Sequence, residues 1–208
     1  MREFPGRVSL ACSFQKEESV LLDMLYGIAP DARVFALDTH VLFPETYAVW
    51  RAVEERYKTK VEIYEGPTLA RQAELHGDAL WERRPDLCCA IRKVEPLGRA
   101  LAGLDAWFTG LRREQSVTRT DGAEVEVDAA HGGMTKVNPL IAWSMEQVRA
   151  YAKTNAVPVH PLHDKGFPSI GCAPCTRAIQ PGEHPRAGRW WWEDPENKEC
   201  GLHLPVST

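Results

Sequence analysis

Short apolar runs alternate with amphipathic stretches through the first hundred residues. Arg7-Val-Ser-Leu-Ala-Cys12 has strand length and ends at Ser13, and behind it Val20, Leu21, Met24, Leu25 and Ile28 share one helical face. Arg33-Val-Phe-Ala-Leu37 predicts a second strand, closed by Asp38-Thr39-His40. Pro44 suits the first turn of a helix that runs to Lys58 and buries Tyr47, Val49, Trp50 and Val53. Val61-Glu-Ile-Tyr64 reads as a third strand. Ala106-Trp-Phe-Thr109 reads as a fourth, after a helical stretch from Leu97 to Leu104. Strands separated by helices of this length predict βαβ units, hence an α/β fold with a mostly parallel sheet.

The second half is less regular. Asp121-Gly122, between Val117-Thr-Arg-Thr and Glu124-Val-Glu-Val, predicts a hairpin. Ser144 and Gln147 have the spacing of a capping box for a helix reaching Asn155. From about residue 157 prolines and glycines recur, and an irregular arm lying over the domain is expected. No internal repeat or linker interrupts the chain, so residues 1–208 are expected to form one domain.

Composition narrows the class. Lys plus Arg total 25 against 29 Asp plus Glu, a net charge of −4, so no global positive field exists to hold nucleic acid or an anionic membrane. No apolar run approaches the roughly 18–20 residues of a spanning helix. The start, Met1-Arg-Glu-Phe-Pro-Gly6, lacks the apolar core of a secretory signal. A cytoplasmic protein is expected, in a compartment that keeps thiols reduced.

The six cysteines then carry the chemistry. Cys12 reads as a small core residue, and the other five lie in polar or turn-rich contexts. Leu87-Cys88-Cys89-Ala90 and Cys172-Ala-Pro-Cys175 supply four thiols in two pairs. Four thiolates suit a structural zinc or an iron–sulfur cluster. Adjacent cysteines on a helix diverge by about 100°, which favours different irons of a [4Fe–4S] cube over one tetrahedral ion. Two unrelated pairs of reduced cysteines are the remaining reading. Cys200 stands apart, either as a surface thiol or as a nucleophile on a tail. Arg177, His184, Arg186 and Arg189 could lower a thiol pKa or hold an anion, or simply form a solvated basic turn. Trp190-Trp-Trp192 reads as packing. Ligands of open α/β sheets bind beyond the carboxyl ends of the strands, which singles out Ser13 to Ser19, Asp38-Thr39 and Gly110-Leu-Arg112-Arg113. The first of these could present backbone N–H groups to a phosphate at a helix start, although it lacks glycine.

Taken together, Cys88-Cys89 with Arg92-Lys93 and Pro96-Leu97, Gly110-Leu-Arg-Arg-Glu-Gln-Ser116, Cys172-x-x-Cys175 and Glu199-Cys200-Gly-Leu-His203 resemble an assimilatory adenylylsulfate (APS) reductase. The wider family includes the phosphoadenylylsulfate (PAPS) reductases. The resemblance runs from about residue 8 to 203 and implies the adenine-nucleotide α-hydrolase-like fold with a modified PP-loop. It implies that Cys88, Cys89, Cys172 and Cys175 hold one [4Fe–4S] cluster per chain, that Cys200 is the nucleophile, and that Lys93 lies between cluster and substrate. Arg186, Arg189 and His203 match cationic contacts to phosphosulfate. Ser13, Asp38, Thr39, Arg112 and Arg113 fall in the nucleotide-facing segments. One departure is Ala11, where the family often carries a hydroxyl. The implied reaction is thioredoxin-dependent (or glutaredoxin-like) reduction of APS to sulfite and AMP through an S-sulfocysteine, in sulfate assimilation toward cysteine. A PAPS or dual reductase is the alternative, and a homo-oligomer stays open. An ATP-pyrophosphatase is disfavoured because Ser13-Phe-Gln-Lys-Glu-Glu-Ser19 lacks the glycines of a triphosphate loop. A non-enzymatic metal–cysteine redox sensor would not need Cys200 beside a basic nucleotide pocket.

Overall fold

A computed structural model describes residue 4 and residues 6–116 and 119–192. Among the described residues six strands form one sheet in the order β3-β2-β1-β4-β6-β5. They are β1 (Val8–Ala11), β2 (Arg33–Asp38), β3 (Glu62–Glu65), β4 (Ala106–Phe108), β5 (Val125–Asp128) and β6 (Met134–Val137). Every neighbouring pair is parallel except β5 with β6. The central strands are buried on both faces, which is why β1 and β2 read as continuous apolar runs rather than alternating ones. One face carries α1 (Lys16–Ile28), α2 (Pro44–Tyr57) and, later, α7 (Met145–Thr154). Leu10, Val20, Leu22, Trp50, Val53 and Val148 form the core there. On the other face Leu97, Ala100 and Leu101 of α6 (Glu95–Leu101) pack with Phe35 and Trp107.

Local sequence explains the helix ends. Pro44 sits in the first turn of α2, and Lys58 closes that helix in the left-handed region. The Ser144–Gln147 box forms as expected: Gln147 N–H donates to Ser144 Oγ at 3.1 Å and Ser144 N–H donates to Gln147 Oε1 at 2.8 Å. Three short helices, α3 (Leu69–His76), α4 (Leu80–Arg83) and α5 (Pro85–Cys89), precede α6. Between α5 and α6 one turn, Ala90–Val94, widens to π geometry, with Glu95 N–H reaching Ala90 O. Pro96 has no N–H to give the carbonyl four residues back, so the wider turn absorbs the lost register. That turn delivers Arg92 and Lys93, both buried, beside Cys88 and Cys89.

Three expectations are corrected here. The hairpin does not turn at Asp121-Gly122. Its strands are β5 and β6, and the chain reverses at residues 129–133, where Gly132 and Gly133 both take positive φ, 74° and 76°. Residues 117–118, half of the expected first strand, lie outside the described residues. Ile28 is 82% exposed, because it falls at the last turn of α1 beyond the core. Cys88, Cys172 and Cys175 are as buried as Cys12, because the arm covers them.

The arm itself is built from short turns, as its prolines and glycines imply. Leu42 and Thr176 make isolated bridges to Cys172 and Arg189, and Ala173 N–H donates to Val41 O at 2.7 Å. Among the described residues no helix is long and apolar enough to cross a membrane.

Candidate functional site

The chain runs β1 to β3 outward and then returns to lay β4 beside β1, so the strand order reverses between β1 and β4. A crevice opens at such a reversal, beyond the carboxyl ends of the strands. Here it is a cavity of about 390 Å³, within the range of small-ligand sites. After β1, Phe14 adopts a positive φ of 58° and stacks on Trp50 at 4.9 Å, which turns the chain sharply into α1. Ser13 is thereby left at the mouth, exposed. The first N–H of α1, on Lys16, donates to His163 Nε2 at 3.3 Å. Burial, followed by the nearby Lys16 charge, pushes His163 down to about 4, so the ring stays neutral and able to accept.

Opposite α1 the cavity wall is cationic. Lys93, Arg186 and Arg189 are all buried and all line it. They surround the Trp190 ring, with Arg189 at 4.3 Å, Lys93 at 5.8 Å and Arg186 at 6.0 Å from its centroid. Arg189 Nη1 donates to Ile170 O at 3.0 Å, and its guanidinium lies so close over Gly171 that a Cβ there would collide with it. Three cations lining one cavity raise the positive potential inside it, which suits an anionic ligand there.

Behind Trp190 lies a second, small chamber. Cys88, Cys89, Cys172 and Cys175 line it together with Val41, Trp81, Arg92, Lys93 and Trp190. Lys93 and Trp190 therefore belong to both chambers. So does Thr39 in effect: it lines the larger cavity while its Oγ1 sits 3.2 Å from Cys172 Sγ. The five cysteines among the described residues are free thiols. Burial and then the Cys172 thiol push Cys88 up, against the pull of Arg92 and Lys93. The same causes push Cys175 up to about 12, with Lys93 again opposing. Arg92 donates Nη1 to Thr39 O at 2.9 Å, and among the described residues its Nε and Nη2 are buried without a partner other than the neighbouring Cys88 thiol. Four thiols lining one chamber, with the buried Arg92 guanidinium beside Cys88, fit a thiolate-bound anionic group. Among the described residues no three Cys, His, Asp or Glu converge on a single-ion point.

Comparison with known proteins identifies the architecture. Residues 7–178 match the model of the phosphoadenosine phosphosulfate reductase domain. The chain belongs to that family. It is 48% identical over 201 residues to the adenosine 5'-phosphosulfate reductase of Allochromatium vinosum, covering 94% of this chain and 78% of that one. It is 46% identical over 208 residues to the phosphoadenosine 5'-phosphosulfate reductase of Gloeobacter violaceus, covering 98% and 85%. A solved phosphoadenylyl-sulfate reductase from Candida auris, a phosphate complex, is 34% identical with a TM-score of 0.73 and covers 83% of each chain. The expected α/β fold of this oxidoreductase family is therefore the observed one.

Of the sequence-derived candidates, Ser13, Thr39, Lys93, Arg112, Arg186 and Arg189 line the larger cavity, and the four paired cysteines share the smaller chamber. Arg112 has already committed its donors. Its Nε and Nη2 bond Glu17 Oε1 at 3.0 and 2.9 Å, and Nη1 reaches Glu114 Oε2 at 3.0 Å. Asp38 is not in the lining. It accepts from Tyr47 Oη and His40 N–H, both at 2.7 Å. Arg113 points away, its Nε donating to Gly122 O at 3.0 Å. Cys200 and His203 lie outside the described residues. Sequence reasoning placed Glu17 and Glu18, which line the cavity from the first turn of α1, inside the Ser13 to Ser19 segment without giving either a role, and treated Trp190 only as packing. Two adjacent acids directly after a strand end were the available signal.

Proposed function

We propose that this chain, acting as one reductase domain over residues 1–208, reduces adenosine 5'-phosphosulfate to sulfite and AMP with thioredoxin or a similar dithiol protein as reductant. The observation that carries the reading is the cationic wall of Lys93, Arg186 and Arg189 around Trp190, set between a nucleotide-sized cavity and a four-thiol chamber. The adenosine would occupy the apolar end near Phe35, Leu37 and Leu97, and the phosphosulfate the cationic end. The Cys200 thiolate would attack the sulfonate sulfur. A sulfur–sulfur bond forms, the sulfur–oxygen bond to phosphate breaks, and AMP departs with the electron pair. Lys93, Arg186, Arg189 and His203 would stabilise the charge that develops on sulfonate and phosphate oxygens. One reductant thiolate then attacks Cys200 Sγ and releases sulfite. Its second thiol resolves the mixed disulfide, leaving Cys200 reduced and the reductant oxidised by two electrons.

Cys88, Cys89, Cys172 and Cys175 would hold a [4Fe–4S] cluster, with Arg92 and Lys93 supplying positive charge beside it. Bound there, such a cluster would supply a cross-link between the α5 region and the arm and a fixed local charge. The Allochromatium relative's name favours APS, and the Gloeobacter relative's name keeps PAPS, or use of both, as the second reading.

The test is sulfite and AMP release from APS and from PAPS at one thioredoxin concentration. We expect higher kcat/KM for APS, with about four irons per chain. Without reductant, Cys200 should gain about 80 Da, one SO₃ group. Turnover by Cys200→Ser would overturn the mechanism. Stoichiometric zinc in active protein would overturn the cluster.

A further inference from the structure

Trp191 and Trp192 are 46% and 44% exposed, and they are the only exposed aromatic side chains among the described residues. Trp190 beside them is 3% exposed. The backbone accompanies the split. Trp190 takes a φ of 40°, in the left-handed region, which for a bulky residue costs on the order of 1–3 kcal/mol. With that inversion, and with Trp190 N–H donating to Cys175 O at 3.2 Å, the first indole lines the thiol chamber and the next two face solvent. The outer rings pack edge to face, their centroids 4.6 Å apart and their planes at 76°, so each limits the other's rotation. Two rigid indoles left in water lose little freedom when covered, which is the character of an interface anchor.

We propose that Trp191 and Trp192 are the docking surface for the dithiol protein that reduces Cys200. This rests on the reductase reading, and two features select that occupant. The described residues end at Trp192, and Cys200 follows eight positions on. Eight residues span at most about 28 Å even when fully extended. A small folded domain is roughly 30 Å across, so a reductant that engages Cys200 has both indoles within about its own diameter. The second feature is charge. The intervening Glu193-Asp194-Pro195-Glu196-Asn197-Lys198-Glu199 carries four acids against one lysine. A partner whose reactive thiol sits in an apolar patch bordered by cations matches indoles bordered by that charge. A second copy of this chain would instead set like charge against like.

The experiment takes the full chain carrying Trp191→Ser and Trp192→Ser and separates the two half-reactions. Loading of Cys200 from APS without reductant, followed by mass, should stay within about twofold of the unsubstituted rate, which also shows that the variant folds. Sulfite release from the loaded protein by sub-saturating thioredoxin should slow by about tenfold or more, as loss of an interface anchor dictates. Release by dithiothreitol, too small to need a docking surface, should change by less than about twofold. The single variants, read the same way, serve if the double variant does not fold. An unchanged thioredoxin rate overturns the proposal. So does slowed loading by folded protein, or an equal loss with dithiothreitol, because the indoles would then serve this chain's own site. A fall in the protein's mass in solution on substitution would make a second copy the occupant and would overturn it too. Failure of the unsubstituted protein to acquire the SO₃ group would instead refute the reductase reading.

Discussion

Replacing Arg112 by Met isolates one buried interaction in the site. The Arg112 side chain is 2% exposed and that of Glu17 6%, and two guanidinium nitrogens converge on Glu17 Oε1. The substitution removes both contacts and strips the Trp143 carbonyl of its donor, while leaving the Glu17 carboxylate buried. Breaking a buried pair on one side costs about 3–5 kcal/mol, because the remaining charge is uncompensated. At roughly 2–4 °C per kcal/mol for a chain of this size, the midpoint should fall by about 10 °C. Urea unfolding under reducing conditions gives the free energy directly. The double variant Glu17→Met/Arg112→Met, which buries no charge, should recover most of the loss. Arg99→Met is the matched control. The Arg99–Glu95 pair is of i,i+4 type and half-exposed, so its loss should cost only about 0.3 kcal/mol. Should Arg112→Met cost no more than Arg99→Met, or the double variant recover nothing, the reasoning about this pair is wrong.

Two further substitutions probe the scaffold. Ser144→Ala removes the acceptor for Gln147 N–H and should destabilise by about 1 kcal/mol, with faster amide exchange confined to the first turn of α7. Asp128 accepts from Trp107 Nε1 at 3.0 Å and contacts His131 Nδ1 at 2.8 Å, so Asp128→Ala should cost about 1–3 kcal/mol. Asp128→Asn keeps the indole's acceptor and should retain most of that stability in the same unfolding assay.

The parallel core was legible because burial on both faces writes itself into the sequence as uninterrupted apolar runs, as in Val8–Ala11 and Arg33–Leu37. The Ser144 cap was legible because its bonds span three residues. The hairpin was not. Met134–Val137 contains Thr135 and Lys136, and the true reversal uses two glycines rather than the Asp-Gly pair. The burial of Cys88, Cys172 and Cys175 depends on an arm folding back across more than eighty residues, and no local window contains that information. Side chains that line the cavity but are already paired, such as Arg112, look identical in sequence to those that are free. Only the partner's position distinguishes them.

The shared wall of the two chambers also imposes an order on biosynthesis. Cys88 and Cys89 leave the ribosome 82 intervening residues before Cys172, and Trp190 follows later still. At synthesis rates of about 5–20 residues per second, the first thiol pair waits on the order of 4–16 s before its partners exist. The strands β1 to β4 are all synthesised by Phe108, early in that interval, whereas β6 and the Val148 face of α7 that cover them come later. Until residues 172–190 are made, the chain lacks the arm that buries Cys88, so oxidants or stray metals have their opening on the first thiol pair then rather than after release. Closure by the arm is what ends that exposure.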